Sequence, residues 1–243
     1  MIGFFDSGIG GLSILREATC RLPQYSYLYF ADQARAPYGN QSADEIYQFT
    51  EEGVNRLFQE GCELVILACN TASAVALRRL QQEFLPQRFP DRRVLGIVQP
   101  TVEELLKYTK SRVVGLLATS ATVRSGMYEE KLGNSVLLLT QACPLLVPII
   151  ESGSHENNEF REAARGYIQE LLAKDDRIDT VILGCTHYGL VADVFREFVP
   201  PSIYVLSQGE LVISSLFQYL KRHEELEKRL KKEGRVLMIT TGK

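Results

Sequence analysis

Two stretches of this chain repeat one another. Residues 65–71 read VILACNT and residues 181–187 read VILGCTH. Each is a short run of leucine and β-branched residues, then a small residue, a cysteine and two short polar residues. A run of this length that is apolar at every position predicts a strand buried on both faces, as in a parallel sheet enclosed by helices. Cys69 and Cys185 stand nearly half the chain apart. Any fold for this sequence must therefore place two thiols at the ends of two buried strands, one in each half.

The surrounding sequence supplies the rest of such a fold. Residues 2–5 are apolar and end in Asp6-Ser7-Gly8-Ile9-Gly10-Gly11, after which LSILREATCRL repeats with helical period up to Pro23. This predicts strand, glycine-rich turn and helix. A second strand is expected over 27–31, ending at Asp32. The pattern Ser42-Ala43-Asp44-Glu45 is a capping box and opens a helix to about residue 60, closed by Gly61. After Cys69 a helix is expected to about residue 84. Residues 94–98 read as a fourth strand stopped by Gln99-Pro100, with a helix over 101–110. The pattern then restarts. Residues 113–117 (VVGLL) repeat the first strand and are followed by a polar turn, Ala118 to Thr122. A helix is expected over 127–132 and a strand over 136–140. The apolar stretch 144–150 then runs to Glu151-Ser152-Gly153. A helix over 160–174 and strands over 180–183 and 203–206 follow. A long helix over 211–232, its run HEELEKRLKKE read as a solvated face, precedes a last strand over 236–239.

Alternating strands and helices predict an α/β protein built on mainly parallel sheets. The restart near residue 113 predicts two pseudo-symmetric lobes with a cleft between them. Residues 1–98 with 207–243 form the lobe carrying Cys69, and residues 99–206 the lobe carrying Cys185. The final helix and strand are expected to return to the first lobe.

Ligands bind open parallel sheets beyond the carboxyl ends of the strands. Asp6, Ser7, Cys69, Thr119 and Cys185 all fall at such ends. A cysteine between a strand end and a helix start also feels the helix N-terminus, which favours thiolate over thiol relative to the ordinary pKa of about 8.5. Two opposed thiols suit racemisation, which needs a base on one face of a carbon and an acid on the other. Cysteine can serve as either. Asp6 stands on the first lobe's side and His187 two residues after Cys185, each placed to set the state of a thiol.

Other readings fit less well. Gly8-Ile9-Gly10-Gly11 with Asp32 roughly twenty residues on half-matches a dinucleotide fingerprint, but Ser13 stands at the third glycine position and Asp6 would repel a pyrophosphate. No Gly-Lys-Ser/Thr supports a phosphate loop, and no C-x-x-C supports thiol–disulfide exchange. A Cys-His hydrolase is poorly served by two residues on one turn. No lysine sits in a recognisable Schiff-base setting. The five cysteines are odd in number, and of these Cys20, Cys62 and Cys143 read as small core residues. Of the three histidines, His155 and His223 read as structural. No ligand spacing argues for a metal. The net charge of −3 points away from nucleic acid and anionic membranes. No apolar run approaches the roughly 18 residues of a membrane span. The N-terminus lacks a secretory leader, so free thiols in a reducing cytoplasm are expected.

The stretches FDSGIGGLSIL, YFADQARAPYG, CNTASA, ATSATVRSGMY, ACPLLVPIIESG and LGCTHYG occur in order over residues 5–189. In these the chain resembles the glutamate racemases of the aspartate/glutamate racemase superfamily. CNTAS together with GCTHY is the specific part, and DSGIGG alone is weak. The resemblance implies interconversion of L- and D-glutamate without metal or organic cofactor, supply of D-glutamate for peptidoglycan, and a homodimer. On matching positions it implies Cys69 as the residue that takes the proton from D-glutamate and Cys185 from L-glutamate. Asp6 and His187 would assist their respective thiols, with Glu151 a further acidic position near the site. Ser7, Tyr38, Gly39, Asn70, Thr71, Thr119, Thr122, Thr186 and His187 would hold the substrate's carboxylates and ammonium, beside Asp6. Three places depart from the family pattern: Gly189 for a proline, Gln99-Pro100-Thr101 for a charged residue before Pro-Gly or Pro-Ala, and Ser207-Gln208-Gly209 for an Asp-Ser pair. Aspartate racemase, or a member kept for binding or regulation, are the alternatives.

Overall fold

The computed structural model describes residues 1–242. Two sheets form, and every strand pair in each is parallel. In chain order the first half runs β1 (Ile2–Asp6), α1 (Leu12–Arg21), β2 (Tyr27–Ala31), α2 (Ala43–Gln59), β3 (Leu64–Leu67), α3 (Asn70–Val75), α4 (Leu77–Arg79), α5 (Leu85–Arg88), β4 (Arg93–Gly96) and α6 (Val98–Leu105). The second half runs β5 (Val113–Ala118), α7 (Ser120–Arg124), α8 (Met127–Leu132), β6 (Leu137–Ala142), α9 (Leu146–Glu151), α10 (Asn158–Leu172), β7 (Thr180–Gly184), α11 (Thr186–Leu190), α12 (Ala192–Phe198), β8 (Tyr204–Leu206), α13 (Gly209–Arg222), α14 (Glu224–Glu227) and β9 (Val236–Thr240).

The strand orders are β4-β3-β1-β2-β9 and β6-β5-β7-β8. Read outward from β1 and from β5, they are the same arrangement. The neighbours β2 and β3 flank β1 as β6 and β7 flank β5, and β4 and β8 lie outermost beyond β3 and β7. Only β9 has no counterpart. It extends the first sheet beyond β2, with Leu28 in register with Leu237. This is the return to the first half that the sequence predicts. Both strands that precede the key cysteines, β3 and β7, are buried at every position.

Each sheet is covered on both faces. Phe5, Leu28, Leu67 and Val65 join α2 and α3 on one side of the first sheet, while Phe4, Tyr29, Ile66 and Leu64 join α1 and α13 on the other. The second sheet packs Leu117, Val181 and Leu183 against α9, α10 and α12, and Val114, Leu116 and Ile182 against α6 and α8. Helix α2 begins as the capping box requires, with Ser42 accepting from the Glu45 amide and the Glu45 carboxylate accepting from the Ser42 amide. Within α2, a Cβ at Gly53 would overlap the Phe5 ring. That ring is wholly buried and stacked on Phe30 at 5.9 Å. Gly53→Ala is therefore expected to destabilise: overpacking costs about 1–3 kcal/mol and outweighs a helix-propensity gain of about 1 kcal/mol. A lowered urea midpoint with unchanged slope would register it.

Several elements differ from the sequence expectation. Val98 begins α6 instead of ending a strand, and Pro100 lies inside that helix. A proline in the first turn forfeits no bond, because the amide there has no intrahelical partner. The helix stops at Leu105, short of residue 110, and the amides of Lys110 and Ser111 donate instead to Asp179 Oδ2 at 2.7 and 2.6 Å. The helix after Cys69 does not run straight to residue 84: it passes from α3 through α4 and a π-helical turn, Leu80–Phe84, into α5. The apolar stretch 144–150 is helical, as α9. The long C-terminal helix breaks at His223, whose φ and ψ of −125° and 63° end α13. Beyond the break Leu226 and Leu230 are buried against the first sheet and Tyr25 donates to Glu227 at 2.8 Å, so this charged run has one packed side. Cys62 and Cys143 are buried as expected, but Cys20 is exposed. It lies on α1 away from the buried face of Ile14, Leu15 and Ala18.

Candidate active site

The carboxyl ends of β1, β3, β5 and β7 come together. Cys69 follows β3 in extended backbone (φ −116°, ψ 123°) as the residue before α3, and Cys185 follows β7 (φ −145°, ψ 133°) as the residue before α11. Both thiols are about 5% exposed. The equivalent position after β5 is Thr119, which caps α7 by accepting from the Thr122 amide at 3.2 Å.

The two sheets are joined through side chains at these ends. Thr186 donates to Asp6 Oδ1 at 3.4 Å. Thr71 after β3 meets Thr119 and Thr122 after β5, with oxygen–oxygen distances of 2.9 and 3.3 Å, and the latter two lie 3.0 Å apart. The Ile9 amide donates to Glu151 Oε1 at 3.0 Å, and Ser13 Oγ donates to the Thr186 carbonyl at 3.1 Å. Among the described residues, no three His, Cys, Asp or Glu side chains cluster as a metal site, and no helix is long and apolar enough to cross a membrane.

Each thiol has a different companion. Cys69 Sγ lies 3.5 Å from Ser7 Oγ, near the buried carboxyl of Asp6. Burial pushes the Cys69 thiol up to about 12, and the Asp6 charge adds to the rise. Burial likewise raises the Asp6 carboxyl, opposed by His187 and by the amides of Gly11 and Gly8. Cys185 Sγ lies 3.7 Å from His187 Nδ1, and His187 Nε2 is hydrogen-bonded to Glu151 Oε1. Burial alone would lower the imidazole. The bonds to Cys185 and Glu151 override it and carry His187 up to about 10. Burial works to raise Glu151, yet its bond to His187 leaves it below the ordinary carboxylate value. One thiol is thus kept neutral in a dry setting beside a carboxyl. The other stands beside an imidazolium–carboxylate pair.

The glycine-rich turn has a packing role. A Cβ at Gly8 would collide with the Glu151 carboxylate, and one at Gly10 with the His187 ring and amide. The turn lets the first half's backbone lie directly against the His187–Glu151 pair. A Cβ at Gly39 would come within 2.7 Å of Thr119, so the Tyr38–Gly39 loop closes on the threonine cluster. Tyr38 itself is buried, and its hydroxyl donates to Asp32 Oδ2 at 2.5 Å.

Known proteins share this fold of two parallel sheets. The Asp/Glu/hydantoin racemase family model matches residues 13–213. The chain belongs to that family. It is an amino-acid racemase, an isomerase. It is 41% identical to a glutamate racemase of Phenylobacterium zucineum over 99% of this chain and 92% of that one. Among solved structures, it superposes on a glutamate racemase of Bacillus anthracis with a TM-score of 0.88 and 30% identity, covering 100% of this chain and 89% of that one. A glutamate racemase of Francisella tularensis, solved with D-glutamate, gives 0.84 and 27% identity, with coverages of 100% and 88%.

In the racemase, sequence reasoning left a buried polar group around Asn70 unseen. Gln208 and Tyr128 come from distant parts of the chain to bond its amide, and Thr101 in turn bonds Gln208. Gln208 stood out in sequence only as an unusual residue before α13, and no periodicity connects it to a residue so distant. The glycine contacts carry a direct test. Gly10→Ala is expected to push the imidazole off Cys185 and lower turnover on the order of 100-fold, as misplacing a catalytic group by about 1 Å does. Steady-state rates compared with the thermal midpoint would separate this from unfolding.

Proposed function

We propose that the racemase interconverts L- and D-glutamate by a two-thiol acid/base mechanism that requires neither metal nor organic cofactor. The observation that carries the reading is the unequal provision for two matched thiols: a neutral thiol at Cys69 and an imidazolium-paired one at Cys185. The names of close relatives, together with the D-glutamate complex of a 27%-identical structure, support glutamate as substrate. In this reading two lobes, residues 1–98 with 207–243 and residues 99–206, close on the substrate.

With L-glutamate bound, the Cys185 thiolate removes the α-proton. The C–H bond breaks and its electron pair remains on the α-carbon and α-carboxylate. The Cys69 thiol delivers its proton to the opposite face, which yields D-glutamate and leaves Cys69 as thiolate and Cys185 as thiol. D-glutamate runs the same steps backward. His187, held by Glu151, steadies the charge on Cys185, and Asp6 serves Cys69. Ser7, Tyr38, Gly39, Asn70, Thr71, Thr119, Thr122, Thr186 and His187 surround and hold the substrate's carboxylates and ammonium. Fixed donors in a dry site stabilise the developing carbanion, since the α-proton is weakly acidic and water is excluded. Thiols that must stay reduced suit the cytoplasm, where D-glutamate would be supplied for peptidoglycan.

The test is proton NMR of L-glutamate with pure protein in heavy water, followed by enantiomer analysis, with aspartate run in parallel. Loss of the α-proton signal with growth of D-glutamate is the expected result. Turnover of aspartate alone would replace the substrate, and turnover of neither would end the reading.

A further inference from the structure

Asn70 follows Cys69 directly and is 1% exposed. Its amide is held in a ring of bonds with Gln208, the residue before α13. Asn70 Nδ2 donates to Gln208 Oε1 at 2.6 Å, and Gln208 Nε2 returns a bond to Asn70 Oδ1 at 3.1 Å. The surrounding hydroxyls fix which end of each amide points where. Thr101 donates to the Ile97 carbonyl at 2.8 Å, so its oxygen faces Gln208 as an acceptor, 2.8 Å from Nε2. Tyr128 donates to Asn70 Oδ1 at 2.7 Å, so its oxygen also faces Gln208 as an acceptor, 3.0 Å from Nε2, and shares with Asn70 Oδ1 the Nε2 hydrogen that Thr101 does not take. With both hydroxyl hydrogens committed elsewhere, only the nitrogen end of Gln208 can sit between them. Its oxygen must then meet the nitrogen of Asn70.

This ordering leaves one group over. Asn70 Nδ2 has two hydrogens and Gln208 takes one. The other has no protein partner among the described residues. Gln208 itself is 4% exposed and draws on four elements: α3 through Asn70, α6 through Thr101, α8 through Tyr128 and its own place at the start of α13. We propose that Gln208 is a positioning residue that locks the Asn70 amide in one orientation, so that its remaining N–H is presented to the substrate's carboxylate. The inference rests on the glutamate reading above. A buried amide free to turn over would offer an oxygen to that carboxylate half the time, and an oxygen facing a carboxylate repels it.

The experiment is a double-mutant cycle on glutamate turnover with Asn70→Ala and Gln208→Ala, and with Gln208→Glu as a second variant of nearly the same size. Gln208→Ala is expected to raise KM about tenfold with a smaller change in kcat, as loss of an oriented bond made equally in ground and transition states does. In the Asn70→Ala background the same change should add almost nothing to the loss in kcat/KM, because its effect runs through Asn70. Additive losses would show a role in packing alone and overturn the proposal, as would unchanged KM in both Gln208 variants. If Gln208→Ala does not fold, the cycle is decided with Gln208→Glu, whose carboxylate cannot donate to Thr101 and Tyr128. Wild-type turnover with additive variants refutes this inference and leaves the glutamate reading intact. Absence of glutamate turnover in wild type overturns both.

Discussion

Cys185→Ser is expected to lower racemisation of glutamate by about 10³-fold or more, and Cys69→Ser by a similar factor. Positioned proton transfer contributes roughly 10² to 10⁴ per group, and a serine hydroxyl is far too weak an acid to share the base's part near neutral pH. The two variants should differ in kind. Cys185 stands beside the His187–Glu151 pair, and in the proposed mechanism its loss removes the base that acts on the L enantiomer. Residual α-proton exchange in heavy water should then favour D-glutamate, which presents its proton to Cys69. Cys69→Ser should show the opposite preference. Serine is nearly isosteric with cysteine and both sites are buried, so the thermal midpoints should stay close to wild type. Normal two-way turnover by either variant would refute the two-thiol mechanism. Equal residual exchange of both enantiomers would refute the assignment of faces.

The sequence already showed much of this site because duplicated topology writes itself as duplicated sequence. A strand buried on both faces must be apolar at every position, and the loop after it must be short and polar where α3 or α11 begins. VILACNT and VILGCTH therefore exposed both strands, both thiols and their order in the fold. The contacts that complete the site left no such trace. Glu151 reaches His187 from the end of α9, a helix whose proline-containing apolar sequence has no evident helical signature. Gly8 and Gly10 half-match a dinucleotide fingerprint that Ser13 and Asp6 speak against, and nothing in the sequence connects them to His187 and Glu151, which stand against them in the fold. Gln208 meets Asn70, Thr101 and Tyr128 through single polar atoms, and a single polar atom imposes no pattern on its neighbours. The misplaced boundaries have the same origin. Pro100 reads as a stop unless the helix is known to have started two residues earlier. His223 ends α13 because Leu226 and Leu230 turn back onto the first sheet, a demand set by tertiary packing.

The Glu151–His187 pair makes a pH-dependent prediction with a definite sign. In the folded protein His187 titrates at about 10, against an ordinary 6.5, chiefly through its bonds to Cys185 and Glu151, which override burial. A raised histidine favours folding in its charged form. Its contribution is complete below about pH 6.5 and is lost as pH climbs through 10. Glu151→Gln keeps an acceptor for the imidazole and for the Ile9 amide but removes the charge. The histidine should then titrate lower, so the loss of stability with alkali should begin and finish at lower pH. The catalytic consequence follows from the same charge. On the proposed two-thiol mechanism, a neutral His187 leaves the Cys185 base without its charged partner, so the alkaline limb of the kcat/KM profile for L-glutamate should move down. At mildly alkaline pH the variant should lose on the order of 100-fold, while near pH 6 the loss should be smaller. Paired measurements of kcat/KM and urea stability from pH 6 to 10 would settle it. An alkaline limb that stays in place while the rate falls uniformly would show that Glu151 acts by shape alone, and that the charge on His187 is set by Cys185 and Asp6 without it.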